Sequence, residues 1–193
     1  MISSNTSVQE ALEFFEQYQI FTAEFVIDFS YYTHMSQRLI SPEHEEQISS
    51  WIDYHETPYN VKNNPYKYKR IFKASIDGSE IEDFHKKCNN KRKTVVVLKV
   101  HQTNEIIGGY NPLNWEKTNS KKYAETKDSF IFRFSNIKST ISRVKNVNKA
   151  IHYDKCFGPS FGKRDLSLRS TNMIIDNMWY CKKKSYHEQI CSV

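Results

Sequence analysis

The segment Thr94–Val100 most constrains the fold, because its apolar residues occupy both sides of an extended chain. A strand that is apolar on both faces belongs in the middle of a packed β-sheet. A polar turn at 102–104 then leads into Glu105–Tyr110, which begins as a second strand and is predicted to break at Gly108-Gly109. The two segments together predict a β-rich core.

Glycine is scarce in this chain, with five residues among 193. Two of them are Gly108 and Gly109, and two more bound the motif Gly158-Pro159-Ser160-Phe161-Gly162. So few glycines are expected where another residue would not fit, through a positive φ or a close approach of two backbones. We therefore expect both motifs to be fixed points of the core.

Periodicity predicts the remaining elements. Ser41-Pro42 fits a helix start, Ile81–Cys88 a second short helix, and 117–126 a surface loop. Alternation predicts further strands near 66–76, 128–134, 141–144, 150–153, 165–168 and 178–180. The order predicts an α+β fold, an antiparallel two-sheet β-sandwich flanked by a few helices, with Phe130, Phe132 and Phe134 facing inward.

The N-terminal segment contains eight aromatic residues between Phe14 and Tyr32. A capping box at Ser7–Glu10 and a helical spacing of apolar residues predict one or two helices over about 8 to 35. We therefore divide the chain into a helical N-terminal extension, 1–40, and a main domain, 41–193.

Composition narrows the classes of function. The net charge is +6, with clustered lysines and arginines that could attract nucleic acid, anionic lipid or an acidic protein face. No recognised nucleic-acid-binding motif accompanies the charge, so we expect no specific nucleic-acid site. The sequence contains no run of about 18 apolar residues, so we expect no membrane-spanning helix. The start lacks the pattern of a secretory signal, so the four cysteines are predicted to be free thiols in a reducing cytoplasm.

Five segments, in order, resemble the TLDc domain. They are Phe84-His-Lys-Lys-Cys-Asn-Asn-Lys91, Glu105 to Trp115, Thr126-Lys-Asp-Ser-Phe-Ile-Phe132, Ser142-Arg-Val-Lys-Asn146 and Gly158-Pro-Ser-Phe-Gly162. The resemblance covers about 41 to 190 and is greatest to fungal TLDc proteins that carry BTB and BACK-like regions before the domain.

The resemblance implies a two-sheet sandwich flanked by helices. It also implies a link to protection against oxidative damage and, as in several members, binding to the vacuolar proton-pumping ATPase. It carries no catalytic mechanism and no cofactor. The motif residues that it marks as structural or partner-binding are Gly108, Gly109, Tyr110, Ser129, Phe130, Phe132, Gly158, Pro159, Ser160, Phe161, Gly162 and Asp165.

Two departures from the family pattern have structural consequences. Lys163-Arg164 follows Gly162, where members often have a more glycine-rich turn. Members also usually end in an acidic-aromatic strand after the segment that resembles Tyr186-His-Glu-Gln-Ile190, and here Cys191-Ser-Val193 follows. A missing strand predicts an unpaired sheet edge.

Several residues invite a chemical interpretation. His85 and Cys88 have helical i,i+3 spacing, yet a structural zinc site needs four ligands, so no metal site is predicted. His152 and Cys156 could form a nucleophile pair only with an orienting third group. Glu105, Asp128 and Asp165 start strands, where solvation at turns is the commoner role of a carboxylate. Neither Ser129 nor Ser160 lies in a nucleophile-elbow pattern.

The sequence therefore favours a non-enzymatic protein-interaction module without metal or cofactor. Its working surface is predicted on rim loops around Gly109-Tyr110 and Gly158 to Asp165. The predicted partner is a protein, by resemblance the subunits of the vacuolar ATPase, and the oligomeric state stays open. The alternatives are a thiol-based antioxidant enzyme that uses Cys156 or Cys88, and an adaptor fragment of a BTB-containing architecture.

Overall fold

The computed structural model describes residues 15–25, 38–100, 103–170 and 177–190. Their helices are α1 (Pro42–Ile52), α2 (Ala74–Asp77) and α3 (Ile81–Cys88), with a 3-10 turn at Val147–Lys149. Their strands are β1 (Phe15–Phe25), β2 (Tyr66–Lys73), β3 (Thr94–Val100), β4 (Ile106–Asn111), β5 (Lys122–Ala124), β6 (Phe130–Phe134), β7 (Thr140–Arg143), β8 (Ile151–Tyr153), β9 (Phe157–Phe161), β10 (Leu166–Ser170) and β11 (Asn177–Tyr180).

The strands form two antiparallel sheets. The six-stranded sheet has the order β2-β1-β3-β4-β6-β7, and the five-stranded sheet has the order β11-β10-β9-β8-β5. Buried side chains of both sheets meet in one apolar core, which includes Val96, Leu98 and Ile131 from the first and Phe161 and Leu168 from the second. The predicted sandwich is therefore confirmed.

Strand β1 replaces part of the predicted N-terminal helix. Residues 15–25 pair with β2 on one side and β3 on the other, with Gln19 opposite both Lys73 and Val97. The helical prediction is wrong for these residues, because β2 and β3 supply backbone hydrogen-bond partners on both sides of the extended chain. The spacing of the aromatic residues fits a strand as well as a helix. The rest of the predicted helical segment, 8–14 and 26–35, lies outside the described residues.

Helix α1 covers the outer face of the six-stranded sheet. It begins as predicted, with the backbone N–H of His44 donating to the Ser41 side chain and Pro42 in the first turn. The ring of Trp51 stacks on Phe134 at 5.4 Å between centroids. Phe130, Phe132 and Phe134 therefore face α1, whereas their neighbour Ile131 lies in the inter-sheet core.

The two glycine motifs meet inside the sandwich. Gly108 and Gly109 lie within β4, so the predicted break of this strand is wrong. A Cβ on Gly109 would lie 2.6 Å from a ring carbon of Phe161, and one on Gly108 would lie 2.1 Å from the carbonyl oxygen of Val96. Close approach, rather than a turn, requires glycine here.

The C-terminal segment closes the edge beside β7. Val144 forms a bridge with Tyr186, and the N–H of His187 donates to the carbonyl of Arg143 at 3.1 Å. Tyr186 is 1% exposed, and its hydroxyl donates to the carbonyl of Ala150 at 3.0 Å. The expected unpaired edge is thus covered at this end of β7 by residues 185–188.

Two short strands were missed by the sequence interpretation. The predicted surface loop 117–126 contains β5, and the motif that begins at Gly158 is part of β9.

Among the helices of the described residues, none has both the length and the apolar character needed to cross a membrane.

Candidate functional site

The helical pair His85 and Cys88 is packed into the protein. The ring nitrogens of His85 contact the Asn89 amide oxygen at 2.8 Å and the carbonyl oxygen of Phe157 at 2.9 Å. Cys88 is fully buried, and burial raises the pKa of its thiol to about 12. No group of three His, Cys, Asp or Glu side chains within the described ranges could hold a metal ion.

The three candidate carboxylates do not converge. Glu105 forms an ion pair with Arg133. Asp128 accepts a hydrogen bond from the Tyr54 hydroxyl at 3.0 Å. Because each carboxylate serves a separate local contact, a paired general acid and base does not arise from them.

Asp165 joins the β9–β10 turn to the C-terminal segment. One carboxylate oxygen accepts the backbone N–H groups of Lys184, Ser185 and Tyr186 at 2.7, 2.7 and 3.0 Å. The other oxygen accepts the N–H of Lys163 at 3.0 Å. A carboxylate with four backbone donors is a structural anchor, since its lone pairs are occupied.

Most of the predicted rim surface is buried. Gly109 and Tyr110 are strand residues, and Tyr110 is 4% exposed, so the prediction of a loop there is wrong. The Ser129 hydroxyl donates to the carbonyl of Tyr110 at 2.8 Å. Of the second predicted loop, only the turn 162–165 reaches the surface, where Lys163 is exposed and Arg164 is half-buried.

The cysteines differ in exposure and in bonding state. Cys88 and Cys156 are free, and Cys156 is partly exposed. The described contacts include no hydrogen bond between the Cys156 thiol and His152. Cys181 is disulfide-bonded, so the prediction of four free thiols is wrong.

The outer face of the five-stranded sheet carries polar side chains that point away from the inter-sheet core. Ile151 and Tyr153 enter the inter-sheet core, so alternation turns His152 the other way. In β10, Leu166 and Leu168 enter the core, so Ser167 and Arg169 lie on the other face. In β9, an irregular register places Ser160 opposite Ser167 and Phe157 opposite Arg169, so both of these β9 residues share that face. We call the resulting group the outer-face cluster: Tyr123, His152, Phe157, Ser160, Arg164, Ser167 and Arg169.

His152 lies at the centre of this cluster. Its Nδ1 is 3.4 Å from the Ser160 hydroxyl, which lies 2.7 Å from the Ser167 hydroxyl. The Nε2 atom is buried and has no hydrogen-bond partner among the described residues. Burial lowers the pKa of His152 to about 4, with further lowering by Lys121 and Arg164 against the opposing charge of Asp154. The imidazole is therefore neutral at pH 7.

Two arginines lie over the same aromatic ring. The guanidinium carbons of Arg164 and Arg169 lie 6.0 and 5.6 Å from the ring centroid of Phe157. Arg164 also lies 5.4 Å from the ring of Tyr180. The Nε atom of Arg169 is buried without a hydrogen-bond acceptor in the described part of the chain. The face thus presents positive charge held by cation–π contacts.

The sequence interpretation considered His152 and Ser160 separately and did not predict that their side chains lie side by side. The alternation Ile151-His-Tyr153 and Leu166-Ser-Leu168-Arg169 was a usable signal, because it assigns the polar residues to one face. The register that places Ser160 opposite Ser167 could not be read from either strand alone.

Comparison with known proteins identifies the family of this chain. Searches of curated proteins and of solved structures each return no significant match. The family model of the TLDc domain matches residues 33–192. Since this match spans nearly the whole chain, the protein belongs to the TLDc domain family.

Proposed function

We propose that this chain is a non-enzymatic protein-interaction module that acts in the cytoplasm on the vacuolar proton-pumping ATPase, with a consequent role in oxidative-stress protection. The family match supports an interaction module of TLDc type. The partner and the stress role follow from the resemblance of the sequence motifs to members with those properties.

The observation that carries the proposal is that several candidate reactive groups are buried or already hydrogen-bonded within the protein. Cys88 is enclosed in the core, Asp165 is saturated by backbone donors, and Ser129 bonds to Tyr110. Charged groups, by contrast, remain accessible around the turn 162–165 and the outer-face cluster. A rigid sandwich with accessible charges on one face suits recognition of another protein.

Binding to the purified peripheral sector of the proton pump tests this function. Immobilised chain should retain the sector, and its yield should saturate with added sector. Gly109→Val is the misfolding control, because its added side chain would collide with Phe161. Circular dichroism must accompany both samples. A folded wild-type chain that retains no sector would contradict the proposed partner.

A thiol-based antioxidant activity is the second candidate, favoured by the partial exposure of the free Cys156 thiol. Its thiolate would take one oxygen atom from hydrogen peroxide, giving a sulfenic acid and, with a proton, water. Turnover would require an added thiol reductant. Peroxide consumption that is lost in Cys156→Ser and kept in Cys88→Ser would establish this activity over the non-enzymatic proposal.

A further inference from the structure

We propose that the outer-face cluster docks an acidic segment of a partner protein, with Arg164 and Arg169 as the carboxylate-binding groups. This inference rests on the proposed interaction function and assigns it a surface and a partner chemistry. Both guanidinium groups lie within 6.0 Å of the Phe157 ring centroid, so one short peptide can reach both.

Three of the other five arginines are engaged by groups within the protein. Arg38 pairs with Glu45, and Arg133 pairs with Glu105. Arg143 donates to the carbonyl of Trp51 at 2.6 Å. Within the described ranges, the side chains of Arg164 and Arg169 have aromatic rings around them and no carboxylate partner. A guanidinium group is a planar fork of donors that matches a carboxylate, and here that acceptor is missing.

Buried nitrogen atoms on the same face also lack an acceptor. Nε2 of His152 and Nε of Arg169 have no hydrogen-bond partner among the described residues. If Ser160 donates to Nδ1 of His152, the ring proton resides on Nε2, and this donor is left unsatisfied. An unsatisfied buried donor lowers the stability of a protein, so an incoming oxygen atom that accepts this hydrogen bond would be favoured.

Positive charge continues from the cluster onto the neighbouring turn. Lys163 precedes Arg164, and the N–H of Lys182 donates to the carbonyl of Arg164 at 3.0 Å. Lys149 lies close enough to Lys163 that the second ammonium group lowers the pKa of the first. An acidic segment that crosses the turn would relieve this repulsion as well as pair with the two arginines.

The chemistry of the face favours an acidic protein over a denser polyanion. Duplex DNA carries about one charge per 1.7 Å and is bound through many phosphate contacts, which calls for a long basic track. Here the negative charge of Asp154 raises the pKa of His152 against the lowering by burial, so the patch is not uniformly positive, and aromatic rings lie beside the arginines. Spaced carboxylates on a peptide fit that mixture better than closely spaced phosphates.

A fluorescein-labelled ten-residue peptide of Asp and Glu is a suitable probe, with binding followed by fluorescence anisotropy at two salt concentrations. The test variant Arg164→Gln/Arg169→Gln keeps most of each side chain and removes two charges. The matched control Lys62→Gln/Lys138→Gln removes two charges from exposed positions outside the cluster. Circular dichroism and urea unfolding establish that both variants fold.

We expect the arginine variant to bind the peptide at least about tenfold more weakly, and the lysine control to bind within about twofold of wild type. Equal losses in the two variants, or no loss in either, would overturn the inference. Tighter binding of a single-stranded oligonucleotide, with the same dependence on the arginines, would overturn it in favour of a phosphate surface.

Repeating the pump-sector capture with these variants separates this inference from the proposed function. Selective peptide binding without capture by the wild type would reject the pump as partner and leave the acidic surface standing. Full capture by the arginine variant would keep the interaction function and reject this surface as its site.

Discussion

The two outer faces of the sandwich differ in the side chains that occupy them. On the six-stranded sheet, α1 seals the face with Trp51 against Phe130, Phe132 and Phe134. On the five-stranded sheet, the corresponding face carries a buried histidine, two buried serines and two arginines. The first face is completed by apolar packing within the chain. The second carries two arginines that have no carboxylate partner within the described residues, so the contrast separates a face that serves stability from a face suited to recognition.

The largest effect is expected on the sealed face. Trp51→Ala should lower the free energy of unfolding by about 3–5 kcal/mol, because it removes a buried indole packed against three phenylalanines. Urea unfolding would measure the loss. Ile137→Ala is the control, since Ile137 is 97% exposed and should change stability by less than about 0.5 kcal/mol. A similar small change for Trp51→Ala would break the comparison.

The next effect concerns the anchor beside the five-stranded sheet. Asp165→Asn should cost about 2–3 kcal/mol, because an amide cannot accept all four backbone N–H groups that the carboxylate accepts. Asp154→Asn is the matched control, since Asp154 accepts the N–H of Cys156 at 2.9 Å. Equal unfolding curves for the two variants would show that the anchor adds nothing beyond an ordinary turn contact.

The pH dependence of stability should sharpen the contrast. His152 has a folded pKa of about 4 and an ordinary pKa of 6.5, so the unfolded chain binds its proton more readily. Stability is fully present above pH 6.5 and is lost as the pH falls toward 4. Between pH 7.5 and 5, wild type should lose about 1–2 kcal/mol more than His152→Gln in urea unfolding. Parallel losses would place the titrating group elsewhere.

The sealed face should show the opposite sign with a smaller effect. Burial raises the pKa of Glu45 on α1 to about 7, and Arg38 offsets the shift only in part. Protonated Glu45 is favoured by folding, so its contribution is fully present below pH 4.5 and is lost as the pH rises through 7. Between pH 5 and 8, wild type should lose about 1 kcal/mol relative to Glu45→Gln. A wild-type gain over this range would reverse the assigned sign.

Local patterns in the sequence predicted much of the sandwich. The alternation of β2 and β6, the doubly apolar β3 and the Ser41-Pro42 start of α1 each express a preference within a few residues. Strand β1 was assigned to helix because its aromatic spacing fits both structures. Pairing with β2 and β3 decides between them, and that pairing joins segments distant in sequence.

The candidate site was less predictable for the same physical reason. The glycine pair was correctly expected where backbones approach closely, yet its contact with Phe161 joins two strands in different sheets. The cluster around His152 likewise depends on the registers of β5, β8, β9 and β10. A single sequence shows which residues are polar and on which side of a strand they lie, but it does not show which strands are neighbours.

The position of β1 also decides how the protein can be shortened for expression. The family match begins at residue 33, downstream of this strand. A recombinant fragment cut at that boundary would lack the strand opposite Val95 and Val97, and the ladder of β3 would be open along one side. Exposed edges of that kind recruit strands from other molecules. A boundary upstream of Phe15 would retain the strand and keep that edge closed.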